Sequence, residues 1–452
     1  MTSKKIAVSL VLAWLGSLFF ATNASAGLPI ERWTQPSGAE VYLVQSPAIP
    51  MVDVQIDFDL GGRRDPPAQA GLANLMASMT AKGLRPGSAG ESALDENGLS
   101  EAWADLGASL GAGASADRLS FSLRTLSYPD LLPRAVALAA RQIGKPAFPA
   151  DVWQRERERL QASLREANTR PATLAGRAFA QAVYGSHPYG REMTEATLSA
   201  IGVEDMARLH RALQPCRARV TLVGAVDRDQ ADALVRQLLA QLPASTEGAC
   251  AALPAVPEVL PLARALEQRI DFASAQAHVL LGQPGFARND PDFFALTVGN
   301  YILGGGGFVS RLTSEVREKR GLTYSVYSYF SPGLHAGAFT VGLQTRPDQA
   351  DEALRVAREV VQRFVAEGPS EAELQAAKDN LIGGFALRID SNRKLLDNVA
   401  NIAWNQLPLD YLDTWTQQVQ RLTLAEVRAA MARKLQPDRM VNVVLGARAA
   451  GS

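Results

Sequence analysis

The most informative part of this sequence is Leu303–Phe330, which reads LGGGGFVSRLTSEVREKRGLTYSVYSYF. Residues Ser310–Lys319 predict a short amphipathic helix, and Gly321 is a natural C-terminal stop. The residues from Thr323 to Phe330 are rich in β-branched and aromatic side chains and predict a strand. The segment is therefore expected to be a helix-to-strand junction, with one Arg in the last helical turn and one Tyr at the start of the strand.

Those two residues, Arg317 and Tyr324, are candidates for binding a peptide group. A guanidinium donates hydrogen bonds in a planar fork, and a phenol donates one from a rigid ring. The pair suits a peptide carbonyl, or the oxyanion that develops from it. Considered singly, an Arg at a helix end and a half-buried Tyr in a strand are also ordinary structural residues, so the assignment depends on the sequence around them.

That surrounding sequence resembles the C-terminal half of the pitrilysin and mitochondrial processing peptidase family, the zinc peptidases (inverzincins) with an inverted HxxEH motif. In this family a segment of the form SRL…VRE..GL.YSVYS carries an Arg and a Tyr that bind substrate. The match here runs from Ser310 to Ser328. The resemblance implies that Arg317 and Tyr324 have that role in this chain.

The glycines before this run, Gly305, Gly306 and Gly307, resemble the substrate-contacting loop of the non-catalytic subunit of mitochondrial processing peptidase. Glycine permits the backbone to approach an extended peptide closely. A loop that only connects two helices is the alternative. Nucleotide binding is not indicated, because no Lys-Ser or Lys-Thr follows the glycines and the loop leaves a helix instead of a strand.

The N-terminal half lacks the zinc motif that the resemblance leads one to expect. The family places Gly-x-Ala and then HxxEH on a helix, where two His bind zinc and the Glu activates water. Here Asn74 and Ser78 stand at the two His positions and Ala77 at the Glu position. An amide and a hydroxyl are poor zinc ligands beside imidazole, and alanine supplies no base. The distal Glu ligand of the family is expected near Ala162–Leu164, which contains no carboxylate, so we expect no metal on this chain.

Residues 1–26 predict a secretory signal peptide, because a basic start and an apolar stretch precede Ala24-Ser25-Ala26, an A-x-A cleavage site. We therefore expect an exported, most simply periplasmic, chain without a membrane span after cleavage; a retained N-terminal anchor is the alternative. Cys216 and Cys250 lie in the exported portion, where a disulfide can persist, and the sequence leaves their pairing open. The chain has 46 basic and 46 acidic residues and no basic patch, so no nucleic-acid partner is indicated.

An internal repeat predicts two homologous halves. Leu213-Gln214-Pro215 recurs 222 residues later as Leu435-Gln436-Pro437, and in both places a helix precedes and a strand ending in glycine follows. The halves are expected at 27–243 and 263–452, joined by an Ala- and Pro-rich linker at 244–262. The order of elements predicts an α+β fold, each half being a mainly antiparallel sheet layered with helices. The resemblance implies that the two halves face each other as a clamshell.

The sequence therefore predicts the non-catalytic, substrate-binding subunit of an exported heterodimeric zinc peptidase. On this hypothesis a partner chain carries HxxEH and zinc, while this chain supplies Arg317 and Tyr324 and binds a peptide or unfolded protein. The alternative is a non-enzymatic scaffold or peptide-binding protein with a peptidase-like fold. An independent hydrolase is not indicated, because the chain has no GxSxG and no Cys–His arrangement typical of a nucleophilic site.

Overall fold

The computed structural model describes residues 29–87, 90–243 and 250–446. The predicted signal peptide and the first part of the predicted linker lie outside these residues. Two large sheets, each covered by helices, divide the described chain into an N-terminal and a C-terminal half. The predicted α+β fold with two homologous halves is thus confirmed. Within the described ranges, no helix is both long enough and apolar enough to cross a membrane.

The N-terminal half contains eight strands and eight α-helices within the described residues. The strands are β1 (Glu31–Thr34), β2 (Glu40–Gln45), β3 (Met51–Phe58), β4 (Gly83–Leu84), β5 (Leu94–Asp95), β6 (Ser109–Ala114), β7 (Leu119–Leu126) and β8 (Arg219–Gly224). The helices are α1 (Leu72–Met79), α2 (Glu96–Asp105), α3 (Leu132–Gly144), α4 (Ala150–Ala167), α5 (Pro171–Tyr184), α6 (Glu195–Ser199), α7 (Val203–His210) and α8 (Arg228–Leu239). Six strands form one sheet in the order β1-β2-β8-β3-β7-β6. Only β2 and β8 are parallel neighbours in it.

The C-terminal half has a five-stranded sheet. Its strands are β9 (Leu266–Ile270), β10 (Ala277–Pro284), β11 (Val326–Phe330), β12 (Ala338–Thr345) and β13 (Val441–Leu445). Its α-helices are α9 (Phe293–Asn300), α10 (Ala350–Glu367), α11 (Glu371–Gly383), α12 (Asn392–Asn405), α13 (Tyr411–Arg421) and α14 (Leu424–Lys434). The strand order is β11-β12-β10-β13-β9, and only β13 and β9 are parallel neighbours.

The two sheets show the repeat that the sequence predicts. The last strand of each half, β8 or β13, lies between one parallel and one antiparallel neighbour. Each follows a helix, α7 or α14, and a 3-10 turn that begins at the Pro of the repeated Leu-Gln-Pro. Because both the order of elements and the pairing directions recur, the two halves are structural copies of each other.

Helices cross between the halves in a reciprocal way. Helix α5 belongs to the N-terminal half in sequence, yet it packs on β10 and β13 of the C-terminal sheet. Helix α12 belongs to the C-terminal half and packs on β8, β3 and β2 of the N-terminal sheet. The two helices occupy equivalent positions in the repeat, close to the same offset of 222 residues. Each half therefore buries one face of its sheet with a helix supplied by the other half.

Residues 250–262, called the strap below, contain no helix or strand, as the linker prediction expects. The strap is nevertheless fixed to the N-terminal half. Cys250 is joined to Cys216 by a disulfide. Arg64 Nη1 donates to Pro254 O over 2.8 Å, and His187 Nε2 contacts Pro257 O over 2.9 Å. The sequence left the pairing of the two cysteines open, and in the structure they are bonded. The strap therefore begins at a covalent link to the N-terminal half.

Candidate functional site

The segment 301–330 forms the predicted junction, but with wider helical turns than expected. The helix predicted over Ser310–Lys319 is a π-helix over Thr313–Glu318, where the N–H of Lys319 donates to the carbonyl of Ser314 over 3.0 Å. A second π-helical stretch, Tyr301–Gly305, precedes the glycine loop. Gly321 ends the junction helix with a φ of 63°, as its residue type predicts. π-helical turns are rare and are frequently found at functional sites.

Tyr324 lies before the strand and not at its start, because β11 begins only at Val326. The hydroxyl of Thr323 explains the difference. It donates to Gln344 O over 2.6 Å and accepts from the N–H of Ser325 over 3.1 Å, so a local turn replaces strand pairing here. The phenol of Tyr324 projects away from this fixed turn and is 87% exposed.

Arg317 differs from the other arginines of the segment in having no carboxylate partner among the described residues. Arg311 forms a two-pronged pair with Glu373 over 2.7 Å, and Arg320 pairs with Glu315 over 2.7 Å. Arg311 holds the pKa of Glu373 at about 2 through these hydrogen bonds. The guanidinium of Arg317 instead lies 4.8 Å from the ring centre of Phe308. Arg311 and Arg320 thus have structural partners, whereas Arg317 keeps its donors available.

Three of the four glycines before this segment have a packing reason. A side chain at Gly304 would overlap Ser328, at Gly305 the amide of Asn300, and at Gly306 the carbonyl of Tyr301, each at 2.7 Å or less. Gly307 differs, because its φ is 62° and nothing lies within 4 Å of the position of an added Cβ. The glycines predicted to contact substrate, Gly305 to Gly307, therefore hold the loop against the C-terminal half and turn the chain outward at Gly307.

The degenerate zinc positions lie on α1, one turn apart. Asn74 and Ser78 are exposed on the same face, whereas Ala77 is fully buried. Asn74 Oδ1 accepts from the N–H of Ala114 over 3.3 Å, and the Ser78 hydroxyl donates to Leu75 O over 2.9 Å. Asn74 and Ser78 line a cavity of about 350 Å³, together with Lys82, Trp153 and Glu156.

Glu156 of α4 is the carboxylate that the structure brings to this cavity, whereas Ala162–Leu164, where the family's distal ligand is expected, contains no carboxylate. Its carboxylate pairs with Arg159 over 2.7 Å and with Lys82 over 3.4 Å. Burial acts to raise the pKa of Glu156, but Arg159 and Lys82 outweigh it and hold that pKa below its usual value. Sequence reasoning missed Glu156, because α4 contains several glutamates and their spacing does not show which of them faces the cavity.

These residues do not fit a zinc ion. An amide, a hydroxyl and one ion-paired carboxylate do not make the three-ligand His and Glu set of a catalytic zinc site. In residues 29–87, 90–243 and 250–446, no group of three or more His, Cys, Asp or Glu side chains is arranged to hold a metal. The cavity around Asn74 is lined by the N-terminal half alone, whereas Arg317 and Tyr324 belong to the C-terminal half. Neither Arg317 nor Tyr324 lines this cavity.

Sequence reasoning also missed an exposed apolar pair in the glycine loop, Phe308 and Val309, which are 70% and 74% exposed. The available signal was two consecutive large apolar residues directly after a glycine run, in a position where the sequence predicts neither a helix nor a strand.

Comparisons with known proteins agree with this architecture. Residues 40–197 match the family model described as insulinase, peptidase family M16, and residues 201–381 match the model described as peptidase M16 inactive domain. A crystal structure from Pseudomonas fluorescens described as a peptidase M16 inactive domain is 34% identical, with a TM-score of 0.86 over 94% of this chain and 99% of that chain. An uncharacterized zinc protease of Streptomyces coelicolor is 28% identical over 88% of this chain and 86% of its own length. The periplasmic protease PqqL of Escherichia coli has the same fold, with 19% identity and a TM-score of 0.78 over 93% of this chain but 46% of its own.

Proposed function

Because the chain belongs to the peptidase M16 family, we propose that it is the non-catalytic, substrate-binding subunit of an exported two-chain zinc peptidase. One observation carries the proposal: the chain has an exposed Tyr324 and an Arg317 without an ion pair among the described residues, while its own zinc positions are Asn74, Ala77 and Ser78. A chain with only a structural task has little need of both donors. Two free donors have a use if a second chain supplies the metal and this chain helps to bind the peptide.

In the proposed complex, a peptide lies between this chain and a partner that carries HxxEH and zinc. Arg317 donates its fork, and Tyr324 its hydroxyl, to peptide carbonyls near the bond that the partner cleaves. Binding energy from these groups orients the peptide, which lowers the barrier to the partner's chemistry. The chain itself holds no cofactor.

The match to PqqL supports a two-chain arrangement. This chain aligns with 46% of that protease, so one copy has about half of the fold that the longer protein contains in a single polypeptide. A separate partner chain would supply the other half. Export is proposed from residues 1–26, and the periplasmic location of PqqL is compatible with it.

The test uses the mature chain and its HxxEH-bearing partner, purified separately and together. We expect neither chain alone to cleave a peptide library efficiently, the mixture to be active, and metal chelators to abolish that activity. Fractionation of the producing cells should find the chain outside the cytoplasm, beginning near Gly27.

The same assay distinguishes the alternative of a non-enzymatic scaffold. If the partner alone reaches the turnover of the mixture, no shared site exists. In that case co-purification without any effect on turnover would favour the scaffold.

A further inference from the structure

The apolar pair Phe308 and Val309 is presented by a built turn. Gly307, at a φ of 62°, turns the backbone toward solvent, and the chain returns to the protein interior at Ser310, which is fully buried. The Ser310 hydroxyl donates to Gly307 O over 2.7 Å, which closes a one-turn 3-10 helix over Gly307–Val309. The tip is therefore fixed on both sides, and its exposure is a feature of the fold.

Because Phe308 and Val309 are exposed, the fold does not gain the stabilisation that burying their side chains would give. Burying a side chain such as Phe or Val typically stabilises a protein by roughly 1.5–3 kcal/mol, and these two remain mostly in water. Two side chains expose far less surface than the ~800 Å² per partner that a stable protein interface buries. The tip is thus of the size that suits a single apolar side chain of a ligand and not a subunit interface.

The neighbour of the tip indicates what that ligand is. The guanidinium of Arg317 lies 4.8 Å from the Phe308 ring centre, a distance at which a cation is attracted to an aromatic face. Since Arg317 has no ion pair in the described chain, the ring is the contact that orients it. A ligand that engages both groups has a hydrogen-bond acceptor for the guanidinium and an apolar group beside it. A peptide with a large apolar side chain next to a carbonyl has both.

Resting on the function proposed above, we propose that Phe308 is a positioning residue for Arg317 and that Phe308 and Val309 form a specificity subsite. The subsite selects peptides with a large apolar side chain adjacent to the carbonyl that Arg317 binds. Phe308 has two separable tasks, since its aromatic face orients the guanidinium and its apolar surface contacts the peptide side chain.

The two tasks are separated by two substitutions. Phe308→Leu keeps apolar surface and removes the aromatic face, so peptide preference should persist while kcat/KM of the mixed enzyme falls roughly two- to fivefold for all peptides. Phe308→Ser removes both, so the same loss should be joined by a roughly tenfold loss of preference for Leu or Phe over Ser in the peptide. The conservative variant Phe308→Tyr keeps the aromatic face, so it should retain the rate that Phe308→Leu loses. Leu260→Ser is the matched control, because Leu260 is 78% exposed but lies in the strap.

A second measurement does not need the partner. Fluorescent ten-residue peptides that differ at one position, Leu, Phe, Ser or Asp, are titrated with the mature chain alone, and anisotropy is followed. We expect the chain to bind the Leu and Phe peptides several-fold more tightly than the Ser and Asp peptides, and Phe308→Ser and Val309→Ser to reduce that difference. Equal affinity for all four peptides, or no binding up to millimolar chain, would overturn the subsite. An inactive mixture with selective binding by the chain alone would instead overturn the two-chain peptidase and leave the subsite standing.

Discussion

At the scale of single residues, Arg317 and Tyr324 are two donors of the junction whose side chains have no hydrogen-bonding partner among the described residues. We expect Arg317→Ala and Tyr324→Phe each to lower kcat/KM of the mixed enzyme by roughly 100- to 1000-fold, or ~3 kcal/mol, the usual loss for one transition-state donor. Arg317→Lys should not restore the rate, because an ammonium cannot reproduce the planar fork.

The control for this pair is Arg320→Ala, which removes an exposed arginine of the same segment that pairs with Glu315. It should leave kcat/KM nearly unchanged. Thermal melting of all variants checks that folding is intact, which the exposure of Tyr324 and the absence of an ion pair at Arg317 lead us to expect. Normal turnover by both Arg317→Ala and Tyr324→Phe would show that these residues are ordinary structure.

The zinc positions give a second prediction at this scale. Elemental analysis of the dialysed mature chain should find no stoichiometric zinc, since Asn74, Ala77 and Ser78 supply neither ligands nor base. The triple variant Asn74→His, Ala77→Glu, Ser78→His should bind zinc, because Glu156 lines the same cavity and can act as the third ligand.

Adding Glu156→Gln to the triple variant should abolish that binding. Glu158→Gln is the matched control, since Glu158 lies on the same helix but does not line the cavity. Tight zinc in the wild-type chain that is lost on changing Asn74 would contradict the assignment of a degenerate site.

At the scale of elements, the pair Arg311–Glu373 fastens the junction helix to the start of α11. Glu373 also caps that helix by accepting from the N–H of Ser370 over 2.7 Å. Arg311 lowers the pKa of Glu373 to about 2, so the carboxylate is favoured in the folded state. The ionised Glu373 therefore stabilises the folded state fully above the ordinary Glu pKa of ~4.3, and this stabilisation is lost as the pH falls toward 2.

We expect Glu373→Gln to lower the free energy of unfolding by about 1–2 kcal/mol at pH 7, a value reduced for the partial exposure of the pair. The difference from wild type should shrink between pH 4.5 and pH 2, as measured by denaturant unfolding at each pH. Glu359→Gln, which breaks an exposed pair with Arg355, should change stability little at any pH. A pH-independent difference for Glu373→Gln would mean that packing, and not charge, holds this element.

The elements that the sequence predicted are those with a strong local pattern. The residues of Ala338–Thr345 and Val441–Leu445 predict strands with the bounds that the structure shows, because β-branched and aromatic residues make up half or more of each. Strand β6, with the sequence SLGAGA, was missed, because glycine and alanine carry no strand signal and its conformation comes from pairing with β7. The π-helical turn around Arg317 was missed for a similar reason, since helical periodicity does not distinguish an α-turn from a wider one.

At the scale of the whole molecule, the sequence predicts two halves but not the exchange of helices between them. An amphipathic helix shows which of its faces is buried, yet not which sheet buries it. The sequence of helix α5 therefore does not show that the sheet of the other half buries it. The structure places its Ala175, Phe179 and Val183 in one cluster with Val441 and Val443 of the other half.

This exchange predicts that the two halves unfold together. Phe179 is 6% exposed, and its ring lies over Gly282 of β10, where a Cβ would approach it to 2.7 Å. Phe179→Ala should cost about 3–5 kcal/mol, as for a buried aromatic, and should shift a single transition monitored in both halves. Gly282→Ala should be destabilising for the complementary reason, because the added methyl group overlaps Phe339 O and the Phe179 ring. The exchange of helices also predicts how the two halves behave as separate fragments. Fragments 27–243 and 263–452 should each be poorly soluble, because each exposes the apolar face of its exchanged helix. They should recover native structure only when mixed. Two resolved transitions, with Phe179→Ala moving only one of them, would show that the halves are independent and that the crossing helices do not couple them.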